Sequence, residues 1–175
     1  MKRTVPPPSP GGPGYLMYED AARYDKVQIV LLAVIIGATL VPAIVLLFHD
    51  HAGAAAMFGA TLLDVLIFHL VFPRRYQVFN TKLRIVLGWP LKWDIKLTTI
   101  KEARPAPGIS TWIYGGVRLA TSSATAVEIV RKGGMDVIIS PSDRQTFLER
   151  LNDAIKLDSH GRGYGQPEFL TQEFP

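Results

Sequence analysis

The chain of 175 residues contains no cysteine, which excludes disulfides, thiolate metal sites and cysteine nucleophiles. It also lacks a Ser–His–acid set, a P-loop and a glycine-rich dinucleotide motif, the patterns of common catalytic and nucleotide-binding sites. The glycine-rich segment 161–165 is not bracketed by a strand and a helix, so it does not predict a phosphate-binding loop. These absences disfavour an enzyme, and we expect no catalytic residue and no metal site.

Two long apolar runs dominate the first half of the chain. They cover residues 27–48 and 52–72, and only the link 49–51 separates them. A helix of about 21 residues rises about 32 Å, which matches the hydrocarbon core of a bilayer. Because backbone groups cannot remain unpaired in lipid, the runs predict an antiparallel transmembrane helical hairpin.

Positive charges flank this hairpin on one side only. Arg23 and Lys26 lie at the start of the first run, Arg74 and Arg75 follow the second, and the link has no lysine or arginine. The positive-inside rule therefore predicts that both termini are cytoplasmic and that the hairpin lies in the inner (cytoplasmic) membrane. The first run begins too late and is too long for the apolar region of a cleaved signal peptide.

The formal net charge of +4 is concentrated just after the hairpin. Between Arg74 and Arg104 there are eight lysines and arginines, against only Asp94 and Glu102. This position next to the membrane favours anionic lipid head groups over nucleic acid as the partner. The cations that we expect to contact head groups are Arg74, Arg75, Lys82, Arg84, Lys92 and Lys96.

Apolar and polar residues alternate after residue 76, a period typical of half-buried strands. Segments 82–87 and 92–97 predict two antiparallel strands joined by a Gly88–Trp89–Pro90 turn. Glycines in 132–134 predict a second hairpin turn. Further strands are predicted at 98–104, 117–121, 126–131 and 135–140.

A capped helix is predicted to close the domain. Ser140 is a good N-cap residue and Pro141 suits the first helical position. Asp143, three residues after Ser140, completes a helix start that resembles a capping box. Apolar residues then repeat at helical spacing to about Lys156. Ahead of the hairpin, the segment 15–26 predicts a short interfacial helix or turn whose tyrosines suit the aromatic belt.

The segments YQVFNTKLRIVLG, WDIKLTTIKEARP and VIISPSDRQTFLERL, in this order, resemble the bacterial pleckstrin-homology-like domain family. The chain is similar to small membrane proteins that carry this domain after two transmembrane helices. The resemblance implies a mainly β, α+β fold, a partly open antiparallel barrel capped by a C-terminal helix, and no particular activity. The chain then divides into a Pro/Gly-rich arm and interfacial segment (1–26), the hairpin (27–72), the cytoplasmic domain (75–156) and an extended tail (157–175).

Small residues recur four apart on both apolar runs, which lets helix backbones approach closely in lipid. We expect them to pack the hairpin or a partner helix. The residues are Ala33 and Gly37 on the first run and Ala56 and Ala60 on the second.

Asp64 extends the second of these stripes near the middle of the membrane, where an ionisable group is costly and is a functional candidate. Three interpretations stay open: a hydrogen-bonded tie to Thr39 of the first helix, a contact with another subunit, and proton transport. No further carboxylates line the runs, which disfavours transport.

Histidines are the remaining candidates for ligand binding. His69, near the inner end of the second run, is either an interfacial polar residue or an axial ligand of a pigment or haem. His49 and His51 flank Asp50 in the link, which is too short for a metal site. We therefore expect no bound cofactor.

Aromatic residues outside the strands suggest contacts with other proteins. Trp112 and Tyr114 lie in a loop, where they either enter the head groups, dock a partner or plug the barrel as buried residues. Phe169 and Phe174 lie in the tail, where they can anchor it to other subunits. The chain is thus expected to be an accessory subunit of a larger membrane protein complex, with respiratory and photosynthetic complexes as the expected hosts. The alternative is a regulatory module that senses anionic lipids.

Overall fold

The computed structural model describes residues 14–106 and 115–163 of the chain. Residues Leu97–Thr99 form a 3-10 turn. In chain order the other elements are β1 (Leu16–Ala21), α1 (Lys26–Leu46), α2 (His51–Val71), β2 (Arg75–Phe79), β3 (Lys82–Val86), β4 (Lys92–Lys96), β5 (Ile100–Pro105), β6 (Val117–Arg118), β7 (Val127–Arg131), β8 (Val137–Ile139) and α3 (Arg144–Gly163).

Helices α1 and α2 form a hairpin that is long and apolar enough to cross a membrane. Their mean hydropathies are 2.9 and 1.9. In the most apolar stretch of each helix, only 6% of the residues of α1 and 11% of those of α2 are buried. Val27 and Leu62, for example, are 70% and 71% exposed. The core helix of a soluble domain would bury such side chains, so this surface suits a lipid environment. Asp50 caps α2, since its carboxylate accepts a 3.1 Å bond from the Ala52 N–H.

The remaining elements form two four-stranded sheets that pack around one core. The first sheet has the antiparallel order β1-β2-β3-β4, and the second has the order β5-β7-β8-β6. Strand β6 runs parallel to β8, and the other pairs of the second sheet are antiparallel. Helix α3 buries Phe147, Leu151 and Ala154 against the sheets, with Tyr76 and Ile129 in the same cluster. These features confirm the partly open barrel with a closing helix.

Strand β1 lies in the segment 15–26, so the interfacial helix or turn predicted there is wrong. It pairs antiparallel with β2, with Glu19 opposite Gln77 and Asp20 opposite Tyr76. Pairing with β1 covers an edge of β2 that would otherwise expose backbone hydrogen-bonding groups. The hairpin is therefore an insertion between the first two strands of the domain.

The boundaries of the closing helix also differ from the prediction. The N-cap is Asp143, which accepts bonds of 3.2 Å from the Thr146 N–H and 2.8 Å from the Thr146 hydroxyl. Ser140 is instead completely buried in the core and is not a cap. The helix continues past Lys156 to Gly163, so the predicted tail begins as helix.

Candidate membrane-proximal binding surface

One hydrogen bond closes the base of the hairpin, and others fasten it to the segment between β6 and β7. The Tyr24 hydroxyl donates to the Pro73 carbonyl oxygen at 2.6 Å. The Asp25 carboxylate, one residue before α1, accepts from the Ser122 hydroxyl at 2.7 Å and from the Ser123 N–H at 2.9 Å. The bond from the Ser122 hydroxyl is the main reason why the pKa of Asp25 lies below its ordinary value. The domain is therefore held close to the start of α1 and the end of α2.

A buried polar network lies directly behind this junction. The Ser140 hydroxyl accepts from the Thr121 N–H at 2.9 Å and donates to the Arg23 carbonyl at 3.3 Å. The Thr121 hydroxyl donates to the same carbonyl. The Tyr76 hydroxyl accepts from the Ser140 N–H and donates to the Leu119 carbonyl, and burial raises the pKa of Tyr76 to about 12. The network ties the segment before α1 to strands that follow it by more than fifty residues in sequence.

The cations expected to bind head groups do not form one free basic face. Lys82 and Arg84 both donate to Asp94, at 2.7 Å each, and Arg75 pairs with Glu19 at 3.1 Å. The bond from Arg84 and then that from Lys82 keep the pKa of Asp94 well below its ordinary value. The other three cations, Arg74, Lys92 and Lys96, have no carboxylate partner among residues 14–106 and 115–163.

Arg74 is held in place without being neutralised. One of its terminal nitrogens lies 2.8 Å from Nδ1 of His69. A guanidinium group can only donate, so Nδ1 must be the acceptor and the neutral ring carries its hydrogen on Nε2. The role of axial pigment or haem ligand considered for His69 stays a prediction.

A groove opens between the first turns of α1, the last turns of α2 and the start of β2. Its walls include Leu32, Val65 and Phe68 from the helices, while His69 and Arg74 lie at its polar end. Its volume is about 580 Å³. One part of the groove thus has lipid-like chemistry, and the other presents a cation.

Inside the hairpin, Asp64 and Thr39 meet as the sequence predicted. The Thr39 hydroxyl lies 3.3 Å from Oδ2 of Asp64 and 3.1 Å from the Ile36 carbonyl oxygen. Ala54 and Thr61 are the buried residues of α2, and they share this face of the helix. Asp64 therefore ties the two helices together.

The predicted small residues do not pack the hairpin as a set. Ala33 and Ala56 are exposed, and a methyl group added at Gly37 would meet no atom within 4 Å. Ala60 is partly buried beside Thr61. Their contact with a partner helix stays a prediction, because within this chain most of them face away from the neighbouring helix.

Comparison with known families identifies the segment that follows the hairpin. Residues 74–154 match the family model described as Bacterial PH domain. This segment belongs to that family. No curated protein and no solved structure matches the chain. Strand β1 precedes the matched segment, yet it completes the first sheet of the PH domain. The PH fold serves many binding roles, and PH domains are in general non-catalytic.

The PH domain also exposes an aromatic residue that the sequence analysis read only as part of a turn. Trp89, between β3 and β4, is 85% exposed, and Leu91 is 44% exposed. Gly88 is buried against the end of α2, where a side chain would overlap the His69 carbonyl. The sequence feature that could have indicated this exposed surface is the tryptophan itself, because a large aromatic residue is unusual at the tip of a tight turn.

The other predicted contact residues of the PH domain and the tail cannot be placed. Trp112, Tyr114, Phe169 and Phe174 lie outside the described residues. Among the described residues, no group of three or more histidine and acidic side chains could hold a metal ion.

Proposed function

We propose that the chain is a non-catalytic accessory subunit of a larger membrane protein complex. In this proposal α1 and α2 cross the inner membrane, both termini are cytoplasmic, and the PH domain lies against the cytoplasmic surface. The lysine and arginine residues at the base of the hairpin, and their absence from the link, support this orientation. The exposed apolar surface of both helices supports the crossing.

The observation that carries the proposal is the outward surface of the hairpin. On α2, Ala52, Ala55, Ala56 and Gly59 are all exposed on the face turned away from α1. A methyl group added at Gly59 would meet no atom within 4 Å. Lipid tails solvate large apolar side chains well, whereas small side chains allow a second helix to approach its backbone closely. This face therefore suits a helix of a partner subunit.

The PH domain extends the same role to the cytoplasmic side. Its fold hosts binding rather than chemistry, and the bonds from Ser122 and Ser123 to Asp25 hold it next to the start of α1. A subunit of this shape can contact partner helices and cytoplasmic surfaces of one complex together. Respiratory and photosynthetic complexes are the hosts that we propose to search first.

Co-purification from native membranes in mild detergent tests the proposal. We expect the chain to be recovered with defined subunits of a complex, and Gly59→Leu to lose them while membrane insertion is unchanged. Ala38→Leu is the control, because it places the same leucine side chain at an exposed alanine of α1. Recovery of the wild-type chain without partners, or equal retention by both variants, would contradict the proposal.

A second candidate is a regulatory module that senses anionic lipids, and Trp89 favours it. Trp89 precedes Lys92 by three residues and lies in the turn that Gly88 packs against the end of α2, and tryptophan prefers the membrane interface. Reconstitution into vesicles without other proteins separates the two candidates. In a variant that carries Trp93→Phe and Trp112→Phe, Trp89 is the remaining source of tryptophan fluorescence. Iodide should quench this fluorescence less when the vesicles contain phosphatidylglycerol. Unchanged quenching would remove this candidate.

A further inference from the structure

We propose that the groove at the base of the hairpin binds one anionic phospholipid, with the phosphate on Arg74 and an acyl chain along Leu32, Val65 and Phe68. The inference rests on the crossing of the membrane by the hairpin and does not depend on a partner subunit. It assigns a binding site and a ligand class to residues that have no other role in the account.

The position of the groove matches the two halves of a phospholipid. Val65 and Phe68 lie in the last two turns of α2, and Leu32 lies near the start of α1, so the apolar wall is at the inner end of the hairpin. Arg74 follows the end of α2 by three residues. The guanidinium group is thus at the level where head groups begin, and the apolar side chains are at the level of the acyl chains.

The electrostatics of Arg74 favour an anion. Its bond to His69 Nδ1 fixes the guanidinium group through a neutral acceptor, which leaves the full positive charge in place. No carboxylate among the described residues pairs with it, whereas the neighbouring Arg75 is paired with Glu19. A phosphate oxygen can accept from the remaining N–H groups, and guanidinium groups match phosphate geometry well.

His69 acts in this site as a positioning residue. Its ring sits between the end of α2 and the β3–β4 turn, where Gly88 packs against its backbone carbonyl. Because the hydrogen bond to His69 already restricts the guanidinium group, the side chain loses less conformational entropy when a phosphate binds. The site therefore depends on the acceptor atom at position 69 as well as on the charge at position 74.

Native mass spectrometry of the full chain in detergent tests this assignment, with phosphatidylglycerol and phosphatidylcholine as competing probes. We expect the wild-type chain to retain one phosphatidylglycerol with a several-fold preference. Arg74→Gln should remove the preference. Lys96→Gln should keep it, because this variant also removes one positive charge but does so at the end of β4, away from the groove. His69→Leu should weaken the preference, and His69→Gln, which restores an acceptor oxygen, should recover much of it.

Several results would overturn the assignment. Equal retention of the two lipids by the wild-type chain would show that the groove does not select an anion. An equal loss in Arg74→Gln and Lys96→Gln would show non-specific attraction by net charge. Arg74→Lys guards against a folding artefact, because it keeps the charge but loses the forked geometry. It should retain an intermediate preference, and full wild-type preference would contradict the role given to the guanidinium group.

Discussion

The Tyr24 hydroxyl donates a 2.6 Å hydrogen bond to the carbonyl oxygen of Pro73, although the two residues are separated by the whole hairpin. The bond joins a residue two positions before α1 to a residue two positions after α2. It closes the base of the hairpin and brings β1 and β2 into register. A long apolar helical hairpin can therefore be inserted into a PH domain without breaking its first sheet.

Excision of the hairpin should leave a folded domain. Replacing residues 27–72 by a short Gly/Ser linker keeps β1 and its bonds, including Ala22 N–H to Arg74 O at 3.0 Å and Arg23 N–H to Ser140 O at 2.9 Å. We expect a soluble protein whose circular dichroism shows mostly strand with some helix. The control is a chain that begins at residue 73 and lacks β1, which exposes an edge of β2 and should be less stable and aggregate more readily. Equal stability of the two proteins would show that β1 is not part of the domain.

Ser140→Ala should destabilise the protein through the buried network and not through the closing helix. It leaves the buried Thr121 N–H without its acceptor, which costs about 1–3 kcal/mol. Ser142→Ala is the matched control, because its hydroxyl bonds to the Ala21 carbonyl at an exposed position and should matter less. Thermal unfolding of the full chain in detergent measures both. A larger effect at Ser142 would place the network in doubt.

The cap of α3 can be tested separately. Asp143→Ala removes the acceptor of the Thr146 N–H and should cost about 0.5–2 kcal/mol, as N-cap substitutions do. Asp143→Asn, which keeps an acceptor oxygen, should recover most of the loss. Thermal unfolding followed at a helix-sensitive wavelength compares them, and two equal losses would argue against a capping role.

Much of the fold could be predicted because its signals are local. The alternation around Leu83 and Ile85 predicted β3, and both side chains are completely buried. The apolar runs predicted the hairpin, and the acceptor for Thr39 on the facing helix was found from the antiparallel geometry alone. Each of these inferences needed only neighbouring residues and a fixed period.

The errors concern residues whose partners are distant in sequence. Strand β1 is half-buried along nearly its whole length, so it shows no clear alternation, and its partner β2 lies beyond the hairpin. Ser140 precedes a proline, which suits a cap, but its actual partners are Arg23 and Thr121. The pairing of His69 with Arg74 was missed because it forms where the helix has ended and the chain turns into β2.

Acid should weaken the outer face of the first sheet through Asp94. Because the pKa of Asp94 is lowered in the folded state, its two ion pairs contribute fully above the unfolded value of about 4 and are lost as the pH falls toward the lower folded value. Each exposed pair contributes only about 0.2–1 kcal/mol. Asp94→Asn should therefore lower the melting temperature at neutral pH and less so near pH 3. Glu102→Gln, an exposed control without an ion pair among the described residues, should show no such convergence.

Asp64 should behave as a structural tie in the hairpin. Asp64→Asn keeps an acceptor for the Thr39 hydroxyl and should leave helix association intact, while Asp64→Leu should cost about 0.6–2 kcal/mol. Thr39→Val combined with Asp64→Leu should add little further loss, because both remove the same bond. Unfolding in mixed micelles measures these values. Loss of a proton-coupled function in Asp64→Asn with association intact would favour transport instead.

Labelling of single cysteines in intact cells tests the central claim, an inserted membrane hairpin with the whole PH domain on the cytoplasmic side. The chain has no cysteine, so His49→Cys, Ala21→Cys and Met135→Cys each give one reactive site, in the link, in β1 and in the exposed turn before β8. A membrane-impermeant maleimide should label only His49→Cys in intact cells and should label the other two after permeabilisation. Labelling of Ala21→Cys or Met135→Cys from outside would contradict the account.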